Sequence, residues 1–132
     1  MITLDTSAIV ALLDADEPAH ERVVEALAAE RPPFLIPAAI VCEVGYLVQR
    51  NLGGTAIAVF LADLADGQFR YDPGEADLAR ILELVVRYAN LPLGIADAAV
   101  VACAERAGGR VMTLDRRDFD VVGREVAMTL VP

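Results

Sequence analysis

The sequence has 132 residues and a mass of 14.1 kDa, the size of one domain with a substantial core. Its 20 acidic and 11 basic residues give a net charge of −9, which argues against broad electrostatic wrapping of nucleic acid but permits a local arginine patch. No apolar stretch reaches the roughly 18 residues of a membrane-spanning helix. We therefore predict a single domain over residues 1–132 and no membrane partner.

The N-terminus has no basic segment before its short apolar run, so we predict no secretory signal and expect a cytoplasmic protein. Cys42 and Cys103 lie in helix-like apolar runs, which favours small buried residues over a disulfide or a metal pair. The hydrophobic fraction of 56% is high for a monomer and indicates contact with another protein.

Short strand-like runs alternate with helix-like segments, and this alternation predicts an α/β domain with a largely parallel sheet. Pro18 starts the first clear helix, with Val23, Val24 and Leu27 predicted on one face. In chain order, the strand candidates are ITLD, FLIP, FRYD, VMTLD and VAMTLV.

Prolines and glycines mark the ends of the later helices. Pro37 closes a strand before a helix that runs from Ala38 to about Arg50, and the glycines at 53 and 54 are predicted to end that helix. The glycines at 108 and 109 terminate the last long helix. No repeat or linker interrupts this pattern.

Acidic residues follow three of the predicted strands, where an open α/β sheet binds its ligands. Asp72 has a local explanation, because Asp72, Pro73 and Glu75 predict the N-cap and first turn of a helix to about Tyr88. Asp5 is either a site residue or a turn acid, with Thr6 or Ser7 capping the next helix. Asp115 is the third candidate by position.

Two further acids lie in apolar stretches of the sequence. Glu43 is flanked by Ile40 and Leu47 at helical spacing, and Asp97 is the only charged residue between Arg87 and Glu105. A buried carboxylate needs a partner, a metal or water. The alternatives are a Glu that reaches solvent at the edge of the apolar stripe and an Asp favoured by the helix dipole.

Two acids at strand ends and two on helices would converge on one crevice and repel one another, so the cluster requires a cation. An all-oxygen site suits Mg²⁺ or Mn²⁺, and phosphoryl transfer or phosphodiester hydrolysis is the natural chemistry. Zinc is a poor fit, because His20 is the only histidine and neither cysteine has a ligand at finger-like spacing. We predict no catalytic role for His20.

These motifs together resemble a PIN-domain ribonuclease, particularly the toxin of VapBC-type toxin–antitoxin pairs. The resemblance spans essentially the whole chain and implies a three-layer α/β/α sandwich around a mainly parallel five-stranded sheet. It also implies an RNA substrate and a cognate antitoxin. The residues that carry it are LDTSAIVALL, the helical Glu43, IADAAVVACAERAG and VMTLDRRDF.

By this resemblance, Asp5, Glu43, Asp97 and Asp115 match the acidic quartet that holds divalent metal and activates water. Catalysis would then need no covalent intermediate on the protein.

The resemblance also implies supporting residues around the quartet. Ser7 and Thr113 match hydroxyls that support the site, and Asp118 could supplement or replace Asp115. Arg116 and Arg117 either approach substrate phosphates or belong to a solvated turn.

Two other functions remain open at this stage. One is phosphoryl transfer through an aspartyl-phosphate, which the absence of lysine disfavours. The other is a catalytically inactive binding module. The apolar fraction and the resemblance together suggest a homodimer, with contact surfaces over Ala38–Leu47 and Thr55–Leu64.

Overall fold

The computed structural model describes all 132 residues. Five short strands form one sheet in the order β3-β2-β1-β4-β5, and every neighbouring pair is parallel. All five predicted strands are confirmed. Their bounds are β1 (Ile2–Leu4), β2 (Phe34–Pro37), β3 (Arg70–Asp72), β4 (Arg110–Met112) and β5 (Thr129–Val131).

Seven helices connect the strands, and none is long and apolar enough to cross a membrane. They are α1 (Thr6–Leu13), α2 (His20–Ala29), α3 (Ala38–Leu52), α4 (Gly54–Ala65), α5 (Leu78–Arg87), α6 (Ile95–Arg106) and α7 (Arg116–Val122).

Both faces of the sheet are covered, since all three residues of β1 are fully buried. The strand order reverses between β1 and β4, so by the right-handed rule the connections to β2 and β3 cross one face of the sheet and those to β4 and β5 cross the other. The α/β/α fold class is therefore confirmed. The reversal also creates a crevice beyond the carboxyl ends of β1 and β4.

Helix α6 is the central helix of the core. Its residues 98–104 are all buried, which explains why this segment is apolar on every side. The turn after it needs glycine, because Gly109 has φ of 82° and a Cβ there would lie 2.5 Å from the carbonyl oxygen of Ala127. The predicted end of this helix is confirmed.

The predicted start of α5 is wrong. The helix begins at Leu78 with Asp77 as its N-cap residue, and Pro73 and Glu75 precede it. Gly74 has φ of 62°, which interrupts helical backbone, and its N–H donates to Oδ1 of Asp72 at 2.9 Å in a local turn.

Three smaller expectations also differ. Val24 is 42% exposed because one residue turns the helix by about 100°, away from the buried Val23. Gly53 ends α3, but Gly54 already begins α4. Cys103 is buried as predicted, whereas Cys42 lies on the exposed face of α3.

Candidate metal centre

Asp5 is held in a fixed orientation at the end of β1. It is itself the N-cap of α1, in place of Thr6 or Ser7, and its Oδ1 accepts from the N–H of Ala8 at 3.1 Å and the hydroxyl of Ser7 at 2.7 Å. Its Oδ2 accepts from the hydroxyl of Thr113. Burial raises the pKa of Asp5, and these donors oppose the rise.

Two hydroxyls connect the ends of β1 and β4. The Ser7 hydroxyl oxygen accepts from the N–H of Leu114 at 2.9 Å while its proton is donated to Asp5. The Thr113 oxygen accepts from the N–H of Asp115 at 3.0 Å. The local fold therefore positions Asp5 and the segment after β4 relative to each other.

Asp97 lies in the first turn of α6 and is half-buried, with no hydrogen bond or ion pair to its carboxylate. Burial raises its pKa to about 6, and the negative charges of four other acids add to the rise. In decreasing order of effect these acids are Asp5, Asp115, Asp118 and Glu43. The structure thus brings all of the predicted acids close enough to interact.

The other three acids surround Asp97 from different elements. Glu43 is exposed on α3, and Asp115 is exposed at the N-cap of α7, in the segment that follows β4. Asp118 lies in the first turn of α7, with its side chain 18% exposed and a buried Oδ1 that has no hydrogen-bond partner. The structure brings both Asp115 and Asp118 to the site.

These carboxylates have the chemistry of a site for a hard divalent cation. No basic side chain forms an ion pair with Asp5, Glu43, Asp97 or Asp115. The unpartnered Oδ1 of Asp118 and the unpaired Asp97 would gain most from a cation. No three of these side chains are arranged around one point in the geometry of a metal site.

The basic residues beside the site differ in availability. The guanidinium of Arg116 donates to the carbonyl oxygen of Pro132. The side chain of Arg117 is 84% exposed, and its one ionic contact is a long one, 3.9 Å from Nε to Oδ1 of Asp118. His20 has a structural contact, since its Nδ1 lies 2.7 Å from the carbonyl oxygen of Ala11.

An open cleft adjoins the acids. Its volume is about 490 Å³, and it combines apolar walls with two carboxylates. The sequence did not indicate Glu17 as part of this region, because Glu17 comes from the loop before α2. The lining residues are Ser7, Val10, Ala11, Glu17, Leu47, Leu114 and Asp115.

A parallel α/β sheet with an acidic crevice at its topological switch point places the chain in the class of α/β proteins whose ligand site lies beyond the carboxyl ends of the strands. A family model for the PIN domain matches residues 2–125. The chain is 36% identical to ribonuclease VapC26 of Mycobacterium tuberculosis (strain ATCC 25618 / H37Rv) over 121 residues, 90% of each protein. The chain therefore belongs to the PIN-domain family, and the prediction of a VapC-like ribonuclease is confirmed.

Solved structures agree with this assignment. The crystal structure of M. tuberculosis VapC20, described as a sarcin-ricin loop cleaving toxin, has a TM-score of 0.84 at 25% identity, covering 93% of this chain and 95% of that one. VapBC-1 from nontypeable Haemophilus influenzae has a TM-score of 0.69 at 16% identity, covering 98% and 96%, and so supports the fold alone.

Proposed function

We propose that this PIN-domain endoribonuclease hydrolyses RNA phosphodiesters with Mg²⁺ or Mn²⁺ held by Asp5, Glu43, Asp97 and Asp115, and that it acts as the toxin of a toxin–antitoxin pair. The observation that carries the metal site is Asp97, a half-buried carboxylate that has no protein partner and is surrounded by other acids. Membership of the ribonuclease family favours hydrolysis over an aspartyl-phosphate or an inactive module.

The residues of the site have different proposed roles in hydrolysis. Ser7 and Thr113 hold Asp5 in place, so its carboxylate presents one geometry to the crevice. When bound, a divalent cation supplies charge to the scissile phosphate and lowers the pKa of a bound water. One of the carboxylates receives the proton of the attacking water. Asp118 supplements the quartet from α7.

Arg117 is the better candidate for a phosphate contact. Its exposed guanidinium lies beside the acids on α7 and has only the long contact with Asp118. Arg116 begins α7 and its guanidinium donates to the carbonyl oxygen of Pro132, so we assign it a structural contact with the residue that follows β5.

An antitoxin is the second proposed partner. The four acids of the proposed quartet have no basic partner within the chain, so an arginine supplied by another protein would neutralise them and block metal. The apolar walls of the adjoining cleft would contact the rest of the inhibitory segment. This arrangement follows from the same unpaired carboxylates that support catalysis.

A homodimer remains a prediction, and the structure suggests another contact surface for it. Leu78, Leu82 and Val86 are 75%, 63% and 66% exposed and form one apolar stripe on α5. On the surfaces predicted from sequence, Val59 and Leu61 are 52% and 49% exposed. Light scattering of the Leu82→Glu variant should show a monomer, and an unchanged mass would remove α5 from the interface.

We also propose that residues 1–132 act as one nuclease domain in the cytoplasm. One hydrophobic core, drawn from both faces of the sheet, supports the first point. Cellular RNA as the substrate supports the second.

The test is cleavage of structured RNA with Mg²⁺ or Mn²⁺, with chelator as the control. We expect activity with either metal and none with chelator. Thermal melts should show that Mn²⁺ stabilises the wild type but not Asp5→Asn, since the amide is a weaker ligand for a hard cation. Cleavage that persists in chelator would contradict the proposal.

A further inference from the structure

Helix α3 carries an exposed face that begins at the acidic site. Glu43, Tyr46 and Arg50 occupy positions i, i+3 and i+7, so they lie along one side of the helix, and all three are exposed. Tyr46 is 65% exposed, more than expected for a tyrosine that packs within its own chain. With a rise of about 1.5 Å per residue, Tyr46 lies about 4.5 Å and Arg50 about 10.5 Å beyond Glu43 along the axis.

The two residues beyond Glu43 form a preassembled pair. The guanidinium carbon of Arg50 lies 5.8 Å from the centroid of the Tyr46 ring. Arg50 has no carboxylate partner, and its side chain makes only a 3.4 Å hydrogen bond from Nε to Oδ1 of Asn51. By contrast, the guanidinium groups of Arg80, Arg106 and Arg110 bind carboxylates. Arg50 therefore keeps an available positive charge in a strongly acidic protein.

This chemistry matches single-stranded RNA. An exposed aromatic ring stacks on an unpaired base, and a nearby arginine binds the backbone phosphate and stacks in turn. RNA also needs such contacts here, because the carboxylates around Asp97 repel phosphates wherever no cation is bound. Because Tyr46 lies one helical turn from Glu43, the Tyr46–Arg50 pair would contact RNA within a few nucleotides of the scissile phosphate.

We propose that Tyr46 and Arg50 form an RNA-docking pair, in which Tyr46 stacks on an unpaired base next to the cleavage site and Arg50 binds the adjoining phosphate. The inference rests on the proposed ribonuclease function and assigns that function a substrate contact outside the acids. It selects RNA with a single-stranded loop over continuous duplex.

The binding test uses full-length protein carrying Asp97→Asn, which prevents cleavage, and a fluorescein-labelled RNA hairpin with a single-stranded loop. Tyr46→Ala should raise Kd about tenfold, and Tyr46→Phe should retain near-normal affinity because the ring is kept. Arg50→Ala should raise Kd, and it should reduce the slope of log Kd against log salt concentration by about one. Tyr71→Ala, at a tyrosine 52% exposed on β3, and Arg22→Ala, at an exposed arginine on α2, are the matched controls and should change nothing.

Cleavage assays in the otherwise wild-type protein distinguish failure of the ribonuclease function from failure of the docking pair alone. Tyr46→Ala should raise KM for the hairpin and leave kcat near normal. If the wild type does not cleave RNA with Mn²⁺, the proposed function fails and this inference fails with it. If the wild type cleaves but Tyr46→Ala matches Tyr71→Ala in Kd and KM, only the docking pair is wrong. A Tyr46→Ala variant that binds RNA normally but becomes monomeric would assign this face to a protein contact instead.

Discussion

The two ends of helix α6 hold acidic residues in opposite electrostatic settings. At its start, Asp97 is near other carboxylates and forms no ion pair. At its end, Arg106 joins two carboxylates, with Nε 2.6 Å from Oδ1 of Asp77 and Nη2 3.0 Å from Oδ1 of Asp72. The thiol of Cys103 also donates to Asp72 at 3.5 Å. One helix therefore carries both an unneutralised and a neutralised acidic cluster.

The pKa values show the consequence. Burial and neighbouring acids raise the pKa of Asp97 to about 6. Burial also pushes the pKa of Asp72 upward, but the hydrogen bonds and charge of Arg106, with donors from Cys103 and Gly74, together lower it. The difference shows that the identity of the partner decides the role of an acid. A paired acid stabilises the fold, and the unpaired one is where we propose that a cation binds.

The largest expected effect is on the unpaired acids. Asp97→Asn should reduce RNA cleavage about 1000-fold, equivalent to about 4 kcal/mol, because a metal ion contributes several kcal/mol to charge stabilisation. Asp120→Asn, on the exposed side of α7, is the control and should cleave normally. Single-turnover assays with Mn²⁺ measure both. Wild-type activity in Asp97→Asn would remove this residue from the site.

The paired end should respond through stability instead. Arg106→Ala leaves the buried Asp77 and the partly buried Asp72 without a cation. It should lower the free energy of unfolding by about 2 kcal/mol, less than for a fully buried pair because the Arg106 side chain is 44% exposed. Arg80→Ala breaks bridges to Glu83 and Glu105, whose carboxylates are more exposed than those of Asp72 and Asp77, and should cost about 1 kcal/mol or less. Urea unfolding measures the difference, and equal losses would contradict the comparison.

The hydroxyl that orients Asp5 should have a smaller effect on activity. Thr113→Val keeps the shape of the side chain but removes a donor to Asp5, so we expect about a tenfold loss of cleavage and weaker activation by Mn²⁺. Thr129→Val, at an exposed position of β5, is the matched control. Metal titrations of the cleavage rate provide the measurement. A variant with an unchanged Mn²⁺ requirement would show that Asp5 does not depend on this hydroxyl.

The smallest expected effect is the pH dependence of the metal-free protein. The folded state raises the pKa of Asp97 from 3.8 to about 6, so folding binds a proton and stability falls as pH rises between these values. Half-exposure limits the loss to about 1 kcal/mol. Asp72 acts in the opposite direction, since its lowered pKa adds stability that is lost as pH falls. Melts from pH 4 to 7 should show a smaller decline in Asp97→Asn, and identical profiles would contradict this.

Much of the fold was predictable because its signals are local. The five strands and the glycine end of α6 follow from apolar runs and turn chemistry. The start of α5 was predicted wrongly, because Asp72 and Pro73 have the sequence of a helix N-cap and first turn although no helix begins there. In the structure Asp72 instead accepts hydrogen bonds from the N–H of Gly74 and from Arg106. Arg106 is distant in sequence, so local sequence patterns do not indicate this contact between β3 and α6.

The candidate acids were also identified from sequence, and their number and order led to the PIN family. Asp5, Glu43, Asp97 and Asp115 stand out because charge in apolar surroundings is costly. The exposed pair of Tyr46 and Arg50 was missed, because a tyrosine at helical spacing is typical of a core residue.

The α/β class, the strands and the acids in apolar surroundings could therefore be identified from local sequence, since each depends on residues close together in the chain. Which of those acids stay unpaired depends on tertiary contacts. Asp72 and Asp97 have the same side chain. Asp97 lies in the first turn of α6 and Asp72 contacts the last turn, yet only Asp72 meets an arginine. That distinction depends on which side chains the fold brings within hydrogen-bond distance, and it separates the stabilising end of the helix from the end proposed to hold metal.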